Sequence, residues 1–216
     1  MPPMTQSPNH SITQSQNLRT LVIATGNRHK GREMAEILSE TGLKILTMAD
    51  FPGIEFEVEE TGQTYMDNAE LKARAATALT GQVCIADDAG LELDALGGEP
   101  GLHSRRFLGE DTPFPDKMDH ILKLLANVPD EQRACRFNCA VAIATPEGRV
   151  FHCTGVCEGT VARERRGEFG FGYDPIFYLP ELGKHMAELP PEEKRKISHR
   201  GKALNCANAV LAKLFV

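Results

Sequence analysis

Short apolar runs and helical patterns follow one another along the chain, and together they predict a mixed α/β sheet. Apolar runs of this length, bounded by turn residues, are typical of buried strands. They lie at residues 21–24, 43–48, 83–86, 137–144 and 150–157. The last two are joined by Thr145-Pro146-Glu147-Gly148, which predicts a hairpin. Residues 54–60 alternate apolar and acidic positions and predict an extended edge.

Helices are predicted where apolar residues recur every three or four positions. A helix after Asn27 places Met34, Ile37 and Leu38 on one face. Residues 64–79 and 118–125 predict two more helices. The first of these is expected to bury Ala69, Ala73, Ala76 and Leu79. Ser198 is suited to cap a last helix, which is expected to bury Leu204, Val210, Leu211 and Leu214.

Composition restricts the kinds of partner. The 216 residues carry a net charge of −6, which argues against a nucleic-acid backbone or an anionic membrane as main partner. No apolar run is long enough to span a membrane. Residues 1–17 are polar and predict a disordered tail with no secretory signal. One domain over residues 18–216, in a cytoplasmic protein, is the resulting expectation.

Six cysteines include two pairs with three residues between them, Cys135/Cys139 and Cys153/Cys157. On strands, each pair would face one side of the sheet, so a four-thiolate metal site is conceivable. Zinc sites of this kind favour tighter spacing in turns. The favoured interpretation is therefore reduced thiols in the core.

A glycine turn between the first strand and the first helix is suited to bind an anion. It reads Thr25-Gly26-Asn27-Arg28-His29-Lys30. Backbone amides at a helix N-terminus attract phosphate, and Lys30 adds a mobile charge. The motif matches neither the Walker nor the dinucleotide pattern, so an ordinary turn with solvated basic residues stays open.

Two acidic pairs suggest metal-assisted chemistry. Asp87-Asp88 follows the apolar run 83–86 directly, and ligands bind at strand ends in open α/β sheets. Carboxylates there could hold Mg²⁺ or take a proton from water. Glu59-Glu60 could complete a metal site, or form a solvated acidic edge.

Two further motifs offer groups for a nucleobase. Phe169-Gly170-Phe171-Gly172-Tyr173-Asp174 mixes rings suited to stacking with glycines that allow close approach. Ser198-His199-Arg200 brings several donors to the start of the last helix. Each has an ordinary structural interpretation as well, as a loop over the core and a solvated helix start. No G-x-S-x-G motif of a serine hydrolase is present.

In this order, the motifs resemble the inosine triphosphate pyrophosphatases, which remove noncanonical purine nucleotides. The resemblance runs from about residue 21 to the C-terminus. The matching stretches are Ala24-Thr25-Gly26-Asn27 with Lys30; Glu59-Glu60-Thr61-Gly62; Asn68-Ala69 with Leu71-Lys72-Ala73-Arg74; Ile85-Ala86-Asp87-Asp88 with Gly90-Leu91; Leu96-Gly97-Gly98 with Pro100-Gly101; residues 169–177; Gly183-Lys184 with Ala187-Glu188; and Ile197-Ser198-His199-Arg200-Gly201.

The resemblance implies an elongated fold of two lobes with the active-site cleft between them, a homodimer, Mg²⁺, and ITP, dITP and XTP as substrates. It implies that Asp88 is the catalytic base and a metal ligand, with Glu59 or Glu60 as the other ligand. The implied substrate contacts are Thr25, Gly26, Asn27, Arg28, His29, Lys30, Lys72, Ala89, Phe171, Gly172, Tyr173, Asp174, Lys184, His199 and Arg200.

One position departs from the family pattern. Ala89 stands where the family usually has Ser or Thr, so only a backbone contact to substrate can survive there. For specificity, the hypothesis is that Arg200 donates to the 6-keto oxygen of the purine and opposes adenine's amino group. Two alternatives remain: a pyrophosphatase for other triphosphates, and a nucleotide sensor without catalysis.

Overall fold

The structure of the chain, a computed structural model, describes residues 19–215. The predicted tail, residues 1–17, lies outside the described residues. The strands are β1 (Thr20–Ile23), β2 (Lys44–Thr47), β3 (Val83–Leu93), β4 (Ala134–Ala144), β5 (Val150–Val161), β6 (Phe177–Leu179) and β7 (Lys184–His185). The helices are α1 (Arg28–Leu38), α2 (Tyr65–Thr80), α3 (Phe114–Leu124), α4 (Pro191–Ile197) and α5 (His199–Leu214).

The strands form one sheet in the order β2-β1-β3-β4-β5-β6-β7. β1 runs parallel to both β2 and β3, whereas each successive pair from β3/β4 to β6/β7 is antiparallel. The mixed α/β sheet predicted from the alternation of strands and helices is therefore confirmed. The hairpin predicted after β4 is confirmed as well, because Ala144 pairs with Val150.

Both faces of the sheet are covered by the helices that the sequence predicts. α1 and α5 pack on one face, where Met34, Leu38 and Leu204 are fully buried. α2 packs on the other face through alanines, including Ala69 and Ala73, against further alanines of β3 and β4. Small side chains on both sides allow the helix and sheet to approach closely. A further cluster around α3 and Phe177 fills the far half of the long strands.

β3 is longer than predicted, and this changes the position of the acidic pair. The prediction that the strand ends at Ala86, directly before Asp87-Asp88, is wrong. β3 continues to Leu93 because β4 pairs with it throughout, with Asp88 opposite Ala140. On the other side, pairing with β1 stops at Ile85. The two acids therefore lie on the part of β3 that is paired with β4 but not with β1.

Three smaller expectations differ from the structure. Residues 54–60 join no strand of the described sheet. Ile54 and Phe56 pack instead against the apolar cluster that α2 forms with β3 and β4. Leu79 is 49% exposed, because α2 ends next to it at Thr80. Val210 and Leu214 are only partly buried, since α5 meets the core along a narrower stripe.

The cysteine prediction is partly wrong. Cys153 on β5 and Cys206 on α5 form a disulfide, with their Cα atoms 5.8 Å apart. The four other cysteines are free and buried, as expected. No group of three or more metal-ligating side chains of His, Cys, Asp or Glu is found among residues 19–215, so the four-thiolate site is absent there. Within the same range, no helix is long and apolar enough to cross a membrane.

Candidate active site

A cleft of about 650 Å³ opens beside β3 and gathers most of the predicted site residues. Those lining it are Thr25, Gly26, Asn27, Lys30, Glu59, Glu60, Lys72, Asp88, Ala89, Phe171, Gly172, Tyr173, Asp174, His199 and Arg200. Three predicted contacts are not among the lining residues: Arg28, His29 and Lys184. His29 still stacks on Phe171 at 5.4 Å, whereas Lys184 is exposed on β7.

The turn between β1 and α1 borders the cleft through Thr25, Gly26, Asn27 and Lys30. Asn27 caps α1, and its side chain accepts hydrogen bonds from the amides of His29 (3.0 Å) and Lys30 (3.2 Å). The first turn of α1 contains no acidic residue. Because a helix N-terminus carries partial positive charge, this end of the cleft is suited to hold phosphate.

Asp88 points to the α2 side of the sheet, where two polar side chains meet it. Asn68 Nδ2 donates to Asp88 Oδ2 at 3.1 Å, and Lys72 Nζ lies 3.5 Å from Oδ1. Asn68 and Lys72 are four residues apart on α2 and therefore share one face. Asp88 is only 6% exposed, and burial raises the pKa of its carboxyl despite the nearby lysines. A buried carboxylate bordering a cleft is suited to accept a proton.

Asp87 points to the opposite face, because successive side chains of a strand alternate. It is buried and does not line the cleft. Its Oδ2 accepts from Arg200 Nε (3.1 Å) and Nη2 (3.0 Å), and lies 3.2 Å from Lys30 Nζ. Burial opposes ionisation, but Lys30 and Arg200 hold the pKa of this carboxyl well below its usual range. Asp87 thus acts as the counterion for two cations of the cleft wall.

The Arg200 guanidinium is held in place by two carboxylates. Besides the two bonds to Asp87, its Nη1 donates to Glu33 Oε2 at 2.7 Å. Three nitrogens of the guanidinium are therefore already bonded to carboxylates. It still borders the cleft and lies 5.5 Å from the centre of the Phe171 ring. Two of the five N–H groups of the guanidinium have no carboxylate partner among these contacts, so the predicted contact to the purine 6-position stays a prediction.

Two charges were missed from the sequence, the half-buried Glu33 and the buried Lys194. Lys194 Nζ donates to Asp174 Oδ2 (2.6 Å), lies 2.8 Å from Glu33 Oε1, and sits 5.0 Å from the Phe171 ring centre. The sequence did contain a signal for Glu33 as a site residue. It lies three residues after Lys30, on the face of α1 that carries Ile37. A charge at the edge of a buried helical face needs a partner. Lys194 had no comparable signal.

The remaining aromatic and polar groups are held firmly. His199 is buried and stacks on Phe137 at 4.6 Å, and burial lowers its pKa well below the usual value, so the ring is neutral. Asp174 accepts from the Phe171 amide at 2.9 Å. Tyr173 donates its hydroxyl to the Ser104 carbonyl at 2.8 Å. This end of the cleft is therefore a rigid wall of rings and donors.

The donor set fits a divalent cation at one place in the cleft. Glu60 and Asp88 converge on the Lys72 ammonium, at 2.7 Å and 3.5 Å. A positive group already lies between these two carboxylates, and Mg²⁺ takes one or two carboxylates plus substrate phosphates. Glu59 also lines the cleft but is exposed. Between the adjacent acids, Glu60 is thus the better-placed ligand.

Comparison with known proteins gives concordant matches. The Ham1 family model matches residues 21–209. A dITP/XTP pyrophosphatase of Desulforamulus reducens is 48% identical over 196 residues, covering 91% of this chain and 97% of the relative. One from Geobacillus kaustophilus is 49% identical over 187 residues, covering 87% and 91%. The solved structure of a HAM1 protein from Coxiella burnetii has a TM-score of 0.80 at 39% identity, covering 90% of this chain and 98% of that one.

Proposed function

The chain belongs to the Ham1 family, and from that premise we infer that it is a nucleoside triphosphate pyrophosphatase acting on noncanonical purine nucleotides. It hydrolyses dITP, XTP and ITP to the monophosphate and pyrophosphate. The observation that carries this conclusion is the near-complete match to relatives named dITP/XTP pyrophosphatase at about half identity. The cleft supports it independently, since it combines an anion-binding helix start with a buried carboxylate.

In the proposed mechanism, Asp88 accepts a proton from a water molecule. The water oxygen attacks the α-phosphorus, the bond from that phosphorus to the α–β bridging oxygen breaks, and pyrophosphate leaves. The phosphates are held at the positive N-terminal end of α1, beside the Lys72 ammonium. Asn68 fixes the orientation of the Asp88 carboxylate through its hydrogen bond.

We further propose that Mg²⁺ assists the reaction and is held by Asp88 and Glu60, as the convergence of both carboxylates on one ammonium supports. When bound, the ion neutralises phosphate charge and stabilises the charge that develops on the transferred group. A homodimer and a cytoplasmic location stay predictions.

Base selection is proposed to arise at the end of the cleft near Phe171. The ammonium of Lys194 has three hydrogens, and two carboxylates account for two of them. The third is available for a 6-keto oxygen, whereas adenine presents a donor at that position. Opposed donors in a buried site go unpaired, which costs binding energy. Lys194 is thereby proposed to read the purine 6-position beside Arg200, whose own contact to it stays a prediction.

A substrate panel tests the proposed function. We expect kcat/KM for dITP, XTP and ITP to exceed that for dATP by at least about a hundredfold, since a site built to pair the 6-keto oxygen strongly rejects an analogue with an amino group there. Preference for pyrimidine or standard triphosphates would favour the alternative pyrophosphatase. Tight binding of dITP without turnover would favour the nucleotide sensor.

A further inference from the structure

The side chains that line the cleft leave little free positive charge for a triphosphate. Six acidic and six basic side chains line it, and five of the basic ones lie within 4 Å of a carboxylate: Lys30, Lys72, Arg105, Lys194 and Arg200. The sixth is Arg106. Within residues 19–215 its guanidinium has no hydrogen bond and no ion pair.

Arg106 borders the cleft that carries the proposed metal ligands. Ser104, two residues before it, is tied to β3 because its Oγ accepts from the Leu91 amide, and Leu91 is three residues after Asp88 on that strand. Ser104 and Arg106 line the cleft together with Glu60, Lys72 and Asp88.

The backbone before Arg106 is fixed by an unusual set of contacts. The Ser104 carbonyl accepts from the Tyr173 hydroxyl, and Ser104 Oγ accepts from the Leu91 amide, both at 2.8 Å. The Arg105 carbonyl accepts from Lys117 Nζ. Lys117 is 1% exposed, so its ammonium serves this carbonyl inside the protein. The segment thus presents Arg106 at a defined place with its side chain free.

We propose that Arg106 binds the β- and γ-phosphates of the substrate and then the departing pyrophosphate. This inference rests on the proposed function. A guanidinium is suited to the role, because its planar fork of donors matches phosphate oxygens in pairs. An arginine with no carboxylate partner contributes its full charge to an incoming anion. Arg105, its neighbour, is instead paired with Glu110 at 3.4 Å.

The experiment compares Arg106→Ala with the matched control Arg105→Ala, which removes the same charge one residue away. Calorimetry measures the affinity, with Mg²⁺, for an α,β-imido analogue of dITP, which cannot be cleaved at the α–β bridge, and for dIMP. For Arg106→Ala we expect analogue affinity to fall about ten- to hundredfold, the value of a charged hydrogen-bonding group. Affinity for dIMP should change less than about twofold. Arg106→Lys should restore part of the loss, because the charge returns without the fork.

Three results would overturn the inference: unchanged analogue affinity in Arg106→Ala, an equal loss for dIMP, or an equal loss in Arg105→Ala. Turnover of dITP by the unmodified protein is measured in parallel. If that protein converts dITP to dIMP and pyrophosphate while Arg106→Ala binds the analogue normally, the assignment of Arg106 alone fails. If the unmodified protein does not cleave dITP, the proposed function fails.

Discussion

The adjacent acids Asp87 and Asp88 offer a paired test, because the strand points them to opposite faces of the sheet. Asp88 borders the cleft and Asp87 does not. Replacing each by Asn keeps the shape and removes one negative charge. The structure predicts that Asp88→Asn nearly abolishes turnover and spares stability. Asp87→Asn should lower stability and leave turnover measurable.

For Asp88→Asn, the stability effect is expected to be small. The new side chain can still accept from Asn68 through its carbonyl oxygen, and Lys72 keeps Glu60 at 2.7 Å. Burial raises the pKa of Asp88 even with Lys72 beside it, so above its unfolded-state pKa the ionised carboxylate lowers stability, and a neutral amide removes that cost. We expect a change within about 1 kcal/mol. Loss of the general base should lower kcat by about two to four orders of magnitude.

For Asp87→Asn, by contrast, the stability effect is expected to be large. Its carboxylate pairs with Arg200 and Lys30 where Arg200 is only 3% exposed. Removing one partner of a buried pair costs about 3–5 kcal/mol. Glu33 still pairs with Arg200 in the variant, so we expect a loss at the lower end of this range. For a chain of this size, about 3 kcal/mol corresponds to a fall in Tm of about 6–12 °C.

Thermal unfolding followed by circular dichroism, together with pyrophosphate release from dITP well below the lower Tm, measures both effects. The reasoning is refuted if Asp88→Asn keeps more than about a tenth of the wild-type kcat, because the base would then lie elsewhere. The reasoning is also refuted if Asp87→Asn has the same Tm as the wild type. In that case the buried pairs would not stabilise the fold as described.

Three further outcomes follow. Burial opposes ionisation of Glu33, but Arg200 and Lys194 lower its pKa below the usual 4.5. The ionised carboxylate therefore stabilises the fold above that pH, and this stabilisation is lost on acidification. The Tm difference between wild type and Glu33→Gln should shrink as pH falls below 4.5. Deleting residues 1–17, which contain few apolar side chains, should change Tm and kcat little, and a marked fall in Tm would contradict this. Gly201→Ala should cost about 1–3 kcal/mol in chemical denaturation, because its Cβ would clash with the Arg195 carbonyl, whereas Gly26→Ala, which meets no atom within 4 Å, should leave stability unchanged.

The elements that local pattern determines were predictable from the sequence. α1 follows from the spacing of Met34, Ile37 and Leu38, all of which are buried. Its N-cap, Asn27, carries the capping bonds expected of that residue type. Ser198 likewise caps α5 by accepting from the Gly201 amide at 3.1 Å. Each of these features depends on residues within one or two helical turns.

Features that depend on distant pairing were not predictable in this way. The acidic pair looked like the end of a strand, because only β4, about fifty residues later, shows that the strand continues. The commitment of Arg200 to Glu33 joins residues 167 positions apart. The disulfide between Cys153 and Cys206 depends on how α5 packs against β5. The site itself was found because its motifs match a known family in order, although each motif alone was weak.

The position of bond cleavage is the most direct test of the central claim. Hydrolysis of dITP in water enriched in heavy oxygen, with mass spectrometry of the products, shows which phosphorus the water attacks. Attack on the α-phosphorus with Asp88 as base places the label in the phosphate of dIMP and leaves pyrophosphate unlabelled. Label in pyrophosphate, or release of orthophosphate with dIDP, would contradict the proposed reaction.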